Sequence, residues 1–399
     1  MLTRLAANRP SVSRDPALDA IRGVAIILVV AYHFLDERSG IATRTGVMRA
    51  IGSVSSAGWT GVQLFFVLSG FLIGGILIDH RSQKGYFRTF YLRRVFRIVP
   101  LYALSLLIFA LLYTCYDWRA AGLSDVFEFD LPVWTVLTFT QNIFVAAIGH
   151  YAGPGWLGVT WSLCVEEQFY LLLPCLIYAV SPRRLAAVCV AAIISAPIFR
   201  TVLLVIWPEN ALAPHVLLPG RFDALFLGVL AACLWRNEKA QTAVRRWRPA
   251  IAIAFAAMSI VLLANLHRIT SFGLRMQMIG YSVIAVYFCV AMLLAVSASK
   301  APRWLAVARQ PLCLAGTGAY SIYLFHRPVQ ALVRTTLPGH PVLILIVSLL
   351  LVAMLSWACW KFIEGPAIRF GRRAFRYGEA SSGNSDTYAA DLPVASQLP

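Results

Sequence analysis

The sequence predicts an all-α, polytopic transmembrane helical bundle of about ten spans plus one re-entrant or short segment. Three observations predict it. Of the 399 residues, 59% are hydrophobic and 13% charged, against about 45–50% apolar and about 25% charged in ordinary soluble domains. Apolar runs near the ~20 residues needed to cross a bilayer recur along the whole chain. The basic residues gather in the short links between those runs, as topology-setting charges do.

Taken in order, the apolar runs are 18–35, 58–78, 98–114, 132–148, 162–180, 185–207, 218–235, 249–266, 278–297, 311–333 and 341–362. The first follows Asp15-Pro16 and precedes no small-residue cleavage site, so it reads as a retained helix rather than a signal peptide. The second and third flank the basic stretch "YFRTFYLRRVFR". The fourth, "LPVWTVLTFTQNIFVAAIG", is interrupted by Thr, Gln and Asn and leads into "HYAGPGWLGVTW", whose Gly and Pro residues resist helix. The fifth opens with "WSLCVEEQFY", the seventh with "LPGRFDALFLG", and the tenth contains "YSIYLFHRPV", where Pro328 is expected to bend the helix. The sixth, eighth, ninth and eleventh are plain apolar runs.

Alternate links carry 24 against 7 Lys and Arg, which puts both termini in the cytoplasm. Termini on one side require an even number of crossings, so one run does not cross. The interrupted 132–148 run is the weakest and is assigned as re-entrant or lid-like; irregular backbone at that depth requires a cavity or surrounding protein. The organisation expected is a cytoplasmic tail over 1–15, a membrane domain over 16–370 and a disordered cytoplasmic tail over 377–399. A multi-pass protein of the cell (inner) membrane follows.

The net charge of +17 would suggest nucleic-acid binding in a soluble protein. Here the charge sits at membrane boundaries, which removes that reading and leaves membrane lipids as its partners. The eight cysteines lie mainly inside apolar runs without CxxC spacing and read as packing residues, and no metal site is expected.

Ionisable residues inside spans are costly and therefore mark candidate sites. Arg22 and His33 are eleven positions apart, about 20° beyond three full turns, so they share a helix face roughly 16 Å apart. Asp19 sits one turn before Arg22 and can pair with it. Arg93, Arg94 and Arg97 cluster at the cytoplasmic boundary, where planar guanidinium forks suit a polyanion, although such clusters also anchor lipid headgroups. Glu166 and Glu167 open the fifth run at the outer boundary, with one expected to face protein and the other solvent or a cation. Arg221 and Asp223 lie at another outer helix start, Arg200 lies near that face, and His326 sits in the outer half of the tenth run. The pattern places His33, Glu166 or Glu167, Asp223 and His326 in the outer half, and Arg93, Arg94, Arg97 and Glu364 in the cytoplasmic half.

In these residues the chain resembles the acyltransferase-3 family of integral membrane O-acyltransferases. The resemblance runs over about residues 16–370. It rests on "LDAIRGVAIILVVAYHF" with its Arg-x10-His, "GVQLFFVLSGFLI", the Arg-x-x-Arg of "RRVFRIVPLY", "WSLCVEEQFY", "RFDALFLG", "YSIYLFHRPV" and "FIEGPAIR", in family order. Phe325 and Arg327 stand where relatives often have Trp, and Cys164 where Ser is common. These departures are expected to alter acceptor fit more than reaction type. Many relatives carry an extra SGNH-hydrolase-like extracytoplasmic domain, and the resemblance here is to the stand-alone form.

The resemblance implies no bound cofactor. It implies acyl-CoA, usually acetyl-CoA, as cytoplasmic co-substrate, and a carbohydrate or lipid-linked saccharide hydroxyl as acceptor at the outer face. The corresponding expectation assigns donor binding to Arg93, Arg94 and Arg97, and general-base catalysis to His33. Arg22 would hold the donor or stabilise charge, Glu166 or Glu167 would orient His33 or the acceptor, and His326 would stabilise an oxyanion or bind sugar. Asp19, Asp223, Arg221 and Tyr170 are acceptor-binding or structural. The alternative class is a transporter or flippase of an anionic or saccharide substrate, because buried Arg, His and carboxylates also line translocation paths. The lack of a visible inverted repeat weakens it.

Overall fold

A computed structural model describes residues 15–35, 52, 54–151, 155–265, 270–298 and 303–378. Every regular element among them is helical. The principal helices are α1 (Pro16–Phe34), α2 (Gly61–His80), α3 (Tyr86–Cys115), α4 (Ser124–Phe127), α5 (Trp134–Leu137), α6 (Gln141–Ile148), α7 (Trp161–Ala179) and α8 (Pro182–Ile206). They continue as α9 (Ala213–Val216), α10 (Phe222–Trp235), α11 (Glu238–Ala264), α12 (Tyr281–Val296), α13 (Arg303–Thr317), α14 (Ala319–Thr336), α15 (Pro341–Cys359) and α16 (Gly365–Ala374).

Among the described residues, nine helices are long and apolar enough to cross a membrane. A tenth long element is formed by α13 and α14, which meet at Gly318. This agrees with a polytopic bundle of about ten spans. Pro328 lies inside α14, which runs on past it, and α13 and α14 are separated at Gly318. The expected third span begins earlier than its apolar run: α3 starts at Tyr86 and takes in Arg88, Arg93, Arg94 and Arg97. Arginine is a good helix former whose stem lies along apolar surface, so a basic stretch need not end a helix.

The 132–148 run is broken into α5 and α6, separated by Phe139 at φ 54°. At 1.5 Å per residue α6 spans roughly 12 Å, too short for a ~30 Å hydrocarbon layer. Its polar residues explain why it holds together. Gln141 and Asn142 are fully buried. Gln141 Nε2 donates to the Leu157 carbonyl at 2.9 Å, and its Oε1 accepts from Thr160 at 2.5 Å. Asn142 Nδ2 donates to the Val216 carbonyl at 3.1 Å, and Gln168 Nε2 donates to the Phe139 carbonyl at 2.9 Å. Side-chain amides thus satisfy the irregular backbone that lipid could not.

The core lies around α2 and α10, which pack closely on each other; α10 also packs on α8 and α12, and α1 lies against α2, α13 and α14. A Cβ on Gly228 would strike the Val67 carbonyl, and one on Gly70 the Leu225 carbonyl, so these glycines permit the backbone approach of α2 and α10. At the rim, α11 buries none of its side chains. Residues 1–14 and 379–399, on which the two tails were expected, lie outside the described residues. Tyr377 and Gly378 are packed, not disordered: Gly378 pairs antiparallel with Lys84, and the Tyr377 ring stacks on His80 at 3.9 Å.

One ion pair is sealed in this core. Arg200 Nη1 lies 2.8 Å from Asp223 Oδ2, with both side chains fully buried. Ser282 Oγ donates to the same oxygen at 2.6 Å, while Arg200 also donates to the Gln277 and Gly220 carbonyls, each at 2.5 Å. The Asp223→Ala variant leaves the guanidinium uncompensated and is expected to cost about 3–5 kcal/mol. Thermal unfolding in detergent measures this, and the double variant Arg200→Met with Asp223→Leu is expected to recover most of the loss.

Candidate active site

The sequence-predicted residues converge at two places in the bundle. The first lies toward the end that carries Pro16 and Ala374. There α1 contributes Arg22, α2 Ser69, α3 Arg94 and Arg97, and α7 Glu166, Glu167 and Tyr170. The π-helical turn Trp360–Glu364 contributes Glu364. Arg22 Nη1 pairs with Asp19 Oδ1 at 2.9 Å, as their one-turn spacing predicts. Ser69 Oγ donates to Glu166 Oε1 at 2.6 Å and lies 2.9 Å from the Tyr170 hydroxyl. Arg97 and Arg22 are electrostatic neighbours of both Glu166 and Glu364, and Arg94 and Arg97 are neighbours of Glu167. Glu364 is 2% exposed.

This arrangement corrects two expectations. The carboxylates do not join the histidines in the outer half. A 3-10 turn, Leu157–Thr160, precedes α7 and carries Glu166 and Glu167 deeper, level with the arginines. Arg93 does not join Arg94 and Arg97. Its Nε donates to the Phe375 carbonyl at 2.7 Å and its guanidinium lies 4.9 Å from the Tyr377 ring, so the segment after α16 claims it. Several buried polar atoms of the cluster have no hydrogen-bond partner: Arg94 Nε, Glu167 Oε1 and both Glu364 carboxylate oxygens. Unsatisfied buried groups mark positions that a ligand or water completes.

The second place is the opposite half of the bundle. His326 Nε2 lies 3.1 Å from His33 Nδ1. His33 Nδ1 also lies 3.0 Å from the Val29 carbonyl, and His326 Nδ1 lies 3.1 and 2.8 Å from the Ile322 and Tyr323 carbonyls. A carbonyl only accepts, so both Nδ1 atoms carry hydrogen. His326 Nε2 is then the acceptor for His33 Nδ1–H, and His33 Nε2 keeps its lone pair. Among the described residues the side-chain partner of His33 is therefore His326, where Glu166 or Glu167 was expected, and His33 Nδ1–H is shared between His326 Nε2 and the Val29 carbonyl.

His33 lines a cavity of about 380 Å³, whose wall includes Trp59, Tyr151, Trp161, His215, Arg221 and Arg327. Tyr151, just beyond α6, and Gly158 and Val159 of the 3-10 turn before α7 line part of its wall. Burial and the neighbouring Arg221 hold the His215 imidazole well below its usual range, so it is neutral. Arg221 Nε donates to the His215 carbonyl at 2.7 Å. Asp223, only two residues on, is instead spent on Arg200.

A stripe of residues that winds part-way round α14 runs from the first place to the second. Tyr320 is an electrostatic neighbour of Glu167, Glu364 and Arg97 and donates to the Ile98 carbonyl at 3.1 Å. Tyr323, one turn on, meets Ser162 Oγ at 2.7 Å, bonds the Val159 carbonyl and lines the cavity. His326 follows at the next turn. Sequence reading missed Ser69, Tyr320, Tyr323 and His215, although the i, i+3, i+6 spacing in "YSIYLFHRPV" carries the stripe.

The Acyltransferase domain profile matches residues 15–361. O-acetyltransferase OatA of Staphylococcus aureus is 25% identical over 396 residues, covering 91% of this chain and 58% of that protein. Peptidoglycan O-acetyltransferase OatA of Listeria monocytogenes is 24% identical over 375 residues, covering 89% of this chain and 56% of that protein. The chain thus spans less than three-fifths of the length of these relatives. No solved structure matches. The profile takes in both halves of the site, short only of Glu364 and the segment beyond it, and so the chain belongs to the acyltransferase-3 family.

Proposed function

We propose that this chain is a membrane O-acyltransferase. It moves an acyl group, acetyl by expectation, from acyl-CoA on the cytoplasmic side to a saccharide hydroxyl held in the cavity beside His33. The distribution of Lys and Arg supports a cytoplasmic position for the end that carries Pro16 and Ala374, and the cell (inner) membrane is the expected location. The names of the relatives support a cell-envelope carbohydrate, free or lipid-linked, as acceptor. The observation that carries the reading is the His33 ring, with one nitrogen held by Val29 and His326 and the other left as a base on a cavity wall.

In this reading Arg94 and Arg97 take the donor's phosphates and Arg22 steadies the arm that runs inward. Guanidinium groups have donors enough to serve a carboxylate and a phosphate together. The charged end stays near the surface while the neutral arm crosses the ~16 Å from Arg22 to His33. The acceptor oxygen attacks the thioester carbonyl as its proton passes to His33 Nε2. The resulting imidazolium is stabilised through Nδ1–H by the Val29 carbonyl and His326. Collapse of the tetrahedral intermediate expels the CoA thiolate, which takes the proton from His33 and leaves as CoA-SH.

The test uses full-length protein purified in detergent, labelled acetyl-CoA and envelope saccharides. Transfer without a membrane gradient is expected, whereas a transporter leaves the saccharide unmodified. His33→Ala is expected to lower kcat/KM by ~10³-fold, and His326→Gln by ~10²-fold. Undiminished transfer by His33→Ala in a monodisperse preparation removes that residue from the mechanism. A separate titration of donor against Arg94→Gln is expected to raise the donor KM by about tenfold with acceptor KM unchanged.

A further inference from the structure

We propose that the cavity beside His33 is built for a saccharide bearing an oxyanion, which Arg221 holds next to the acceptor hydroxyl. Calling this ligand an acceptor rests on the acyltransferase reading; its charge does not. Arg221 is 1% exposed and lines the cavity. Its guanidinium lies over the Tyr281 ring at 4.2 Å and 5.6 Å from the centroid of Trp161.

The adjacent carboxylate, Asp223, is already committed: Oδ2 takes Arg200 at 2.8 Å and Ser282 at 2.6 Å, and Oδ1 accepts from the Ala224 amide at 2.8 Å. Among the described residues two arginines and one aspartate therefore meet here, and Arg221, bonded to the His215 carbonyl and the Tyr281 side chain, is the cation left without a carboxylate. Among the described lining residues the charged ones are Arg221 and Arg327, with no carboxylate. A cation–π contact offsets part of the cost of burying a guanidinium, and an oxyanion on its fork offsets far more.

The neighbouring groups suit a sugar. The Tyr281 hydroxyl donates to the Ser271 carbonyl at 2.6 Å, so His215 Nδ1, 2.6 Å from that hydroxyl oxygen, is the donor between them. His215 Nε2 is left as an acceptor for a sugar hydroxyl, beside the apolar ring faces of Trp161 and Phe272 at 4.8 and 5.1 Å. Cation, acceptor and aromatic wall together describe a uronic-type carboxylate sugar or a phosphate-bearing sugar.

The experiment measures binding without donor, on the full-length protein in nanodiscs, by tryptophan fluorescence. Three ligands are compared: a hexuronate oligosaccharide, the same oligosaccharide after carboxyl reduction, and a hexose phosphate. One anionic ligand is expected to bind about tenfold or more tighter than the neutral one, and which of the two does so identifies the source of the oxyanion. Arg221→Gln is expected to bring all three within about twofold. Equal affinities in the wild-type protein overturn the proposal without any variant, as does a charge preference that survives Arg221→Gln. Acetyl transfer to neutral glycans with equal affinities would sink this inference and leave the proposed activity standing. A charge preference without transfer would do the reverse.

Discussion

Hydrocarbon offers a charge no water, and the architecture follows from how each buried ion finds a partner. Arg200 and Asp223 neutralise one another and serve as a fixed pin between α8 and α10. Arg22, Arg94 and Arg97 meet Glu166, Glu167 and Glu364 in a mixed cluster drawn from α1, α3, α7 and the π-helical turn before α16. Among the described residues Arg221 meets the His215 carbonyl, the Tyr281 side chain and aromatic faces, but no carboxylate of its own. The three cases grade from structure toward recognition: a fully satisfied pair holds helices together, a partly satisfied cluster has donors to spare, and a cation without a carboxylate has charge to offer a ligand.

The same constraint explains where the chain departs from regular helix. The broken backbone around Phe139 and Leu157 is held by Gln168 and Gln141, and Tyr151, Gly158 and Val159 beyond α6 line the cavity. The π-helical turn Trp360–Glu364 inserts one extra residue per turn and aims a buried carboxylate at Arg97 and Arg22.

Much of the bundle was legible because lipid enforces a simple rule on length and polarity. The shared face of Arg22 and His33 and the Asp19–Arg22 pair follow from helix periodicity, and the failure of the 132–148 run to cross follows from its polar interruptions and the need for an even number of crossings. What spacing cannot reveal is pairing between distant helices. His33 and His326 are 293 positions apart, and Ser69 and Glu166 are 97 apart. The glutamates were therefore assigned to the wrong neighbours by their place at the start of an apolar run, and Arg93 by its place in an arginine cluster. Helix ends were misread for a related reason: a 3-10 turn before α7, and a basic first stretch of α3, lengthen elements that apolarity alone would cut short.

The length of α3 has one further consequence. Its 30 residues extend about 45 Å, some 15 Å more than a hydrocarbon layer is thick. That overhang sets its arginines where acyl chains give way to headgroups. Arg88, exposed on this overhang, can reach anionic headgroups, so the protein's hold on its leaflet should rise with the fraction of anionic lipid around it.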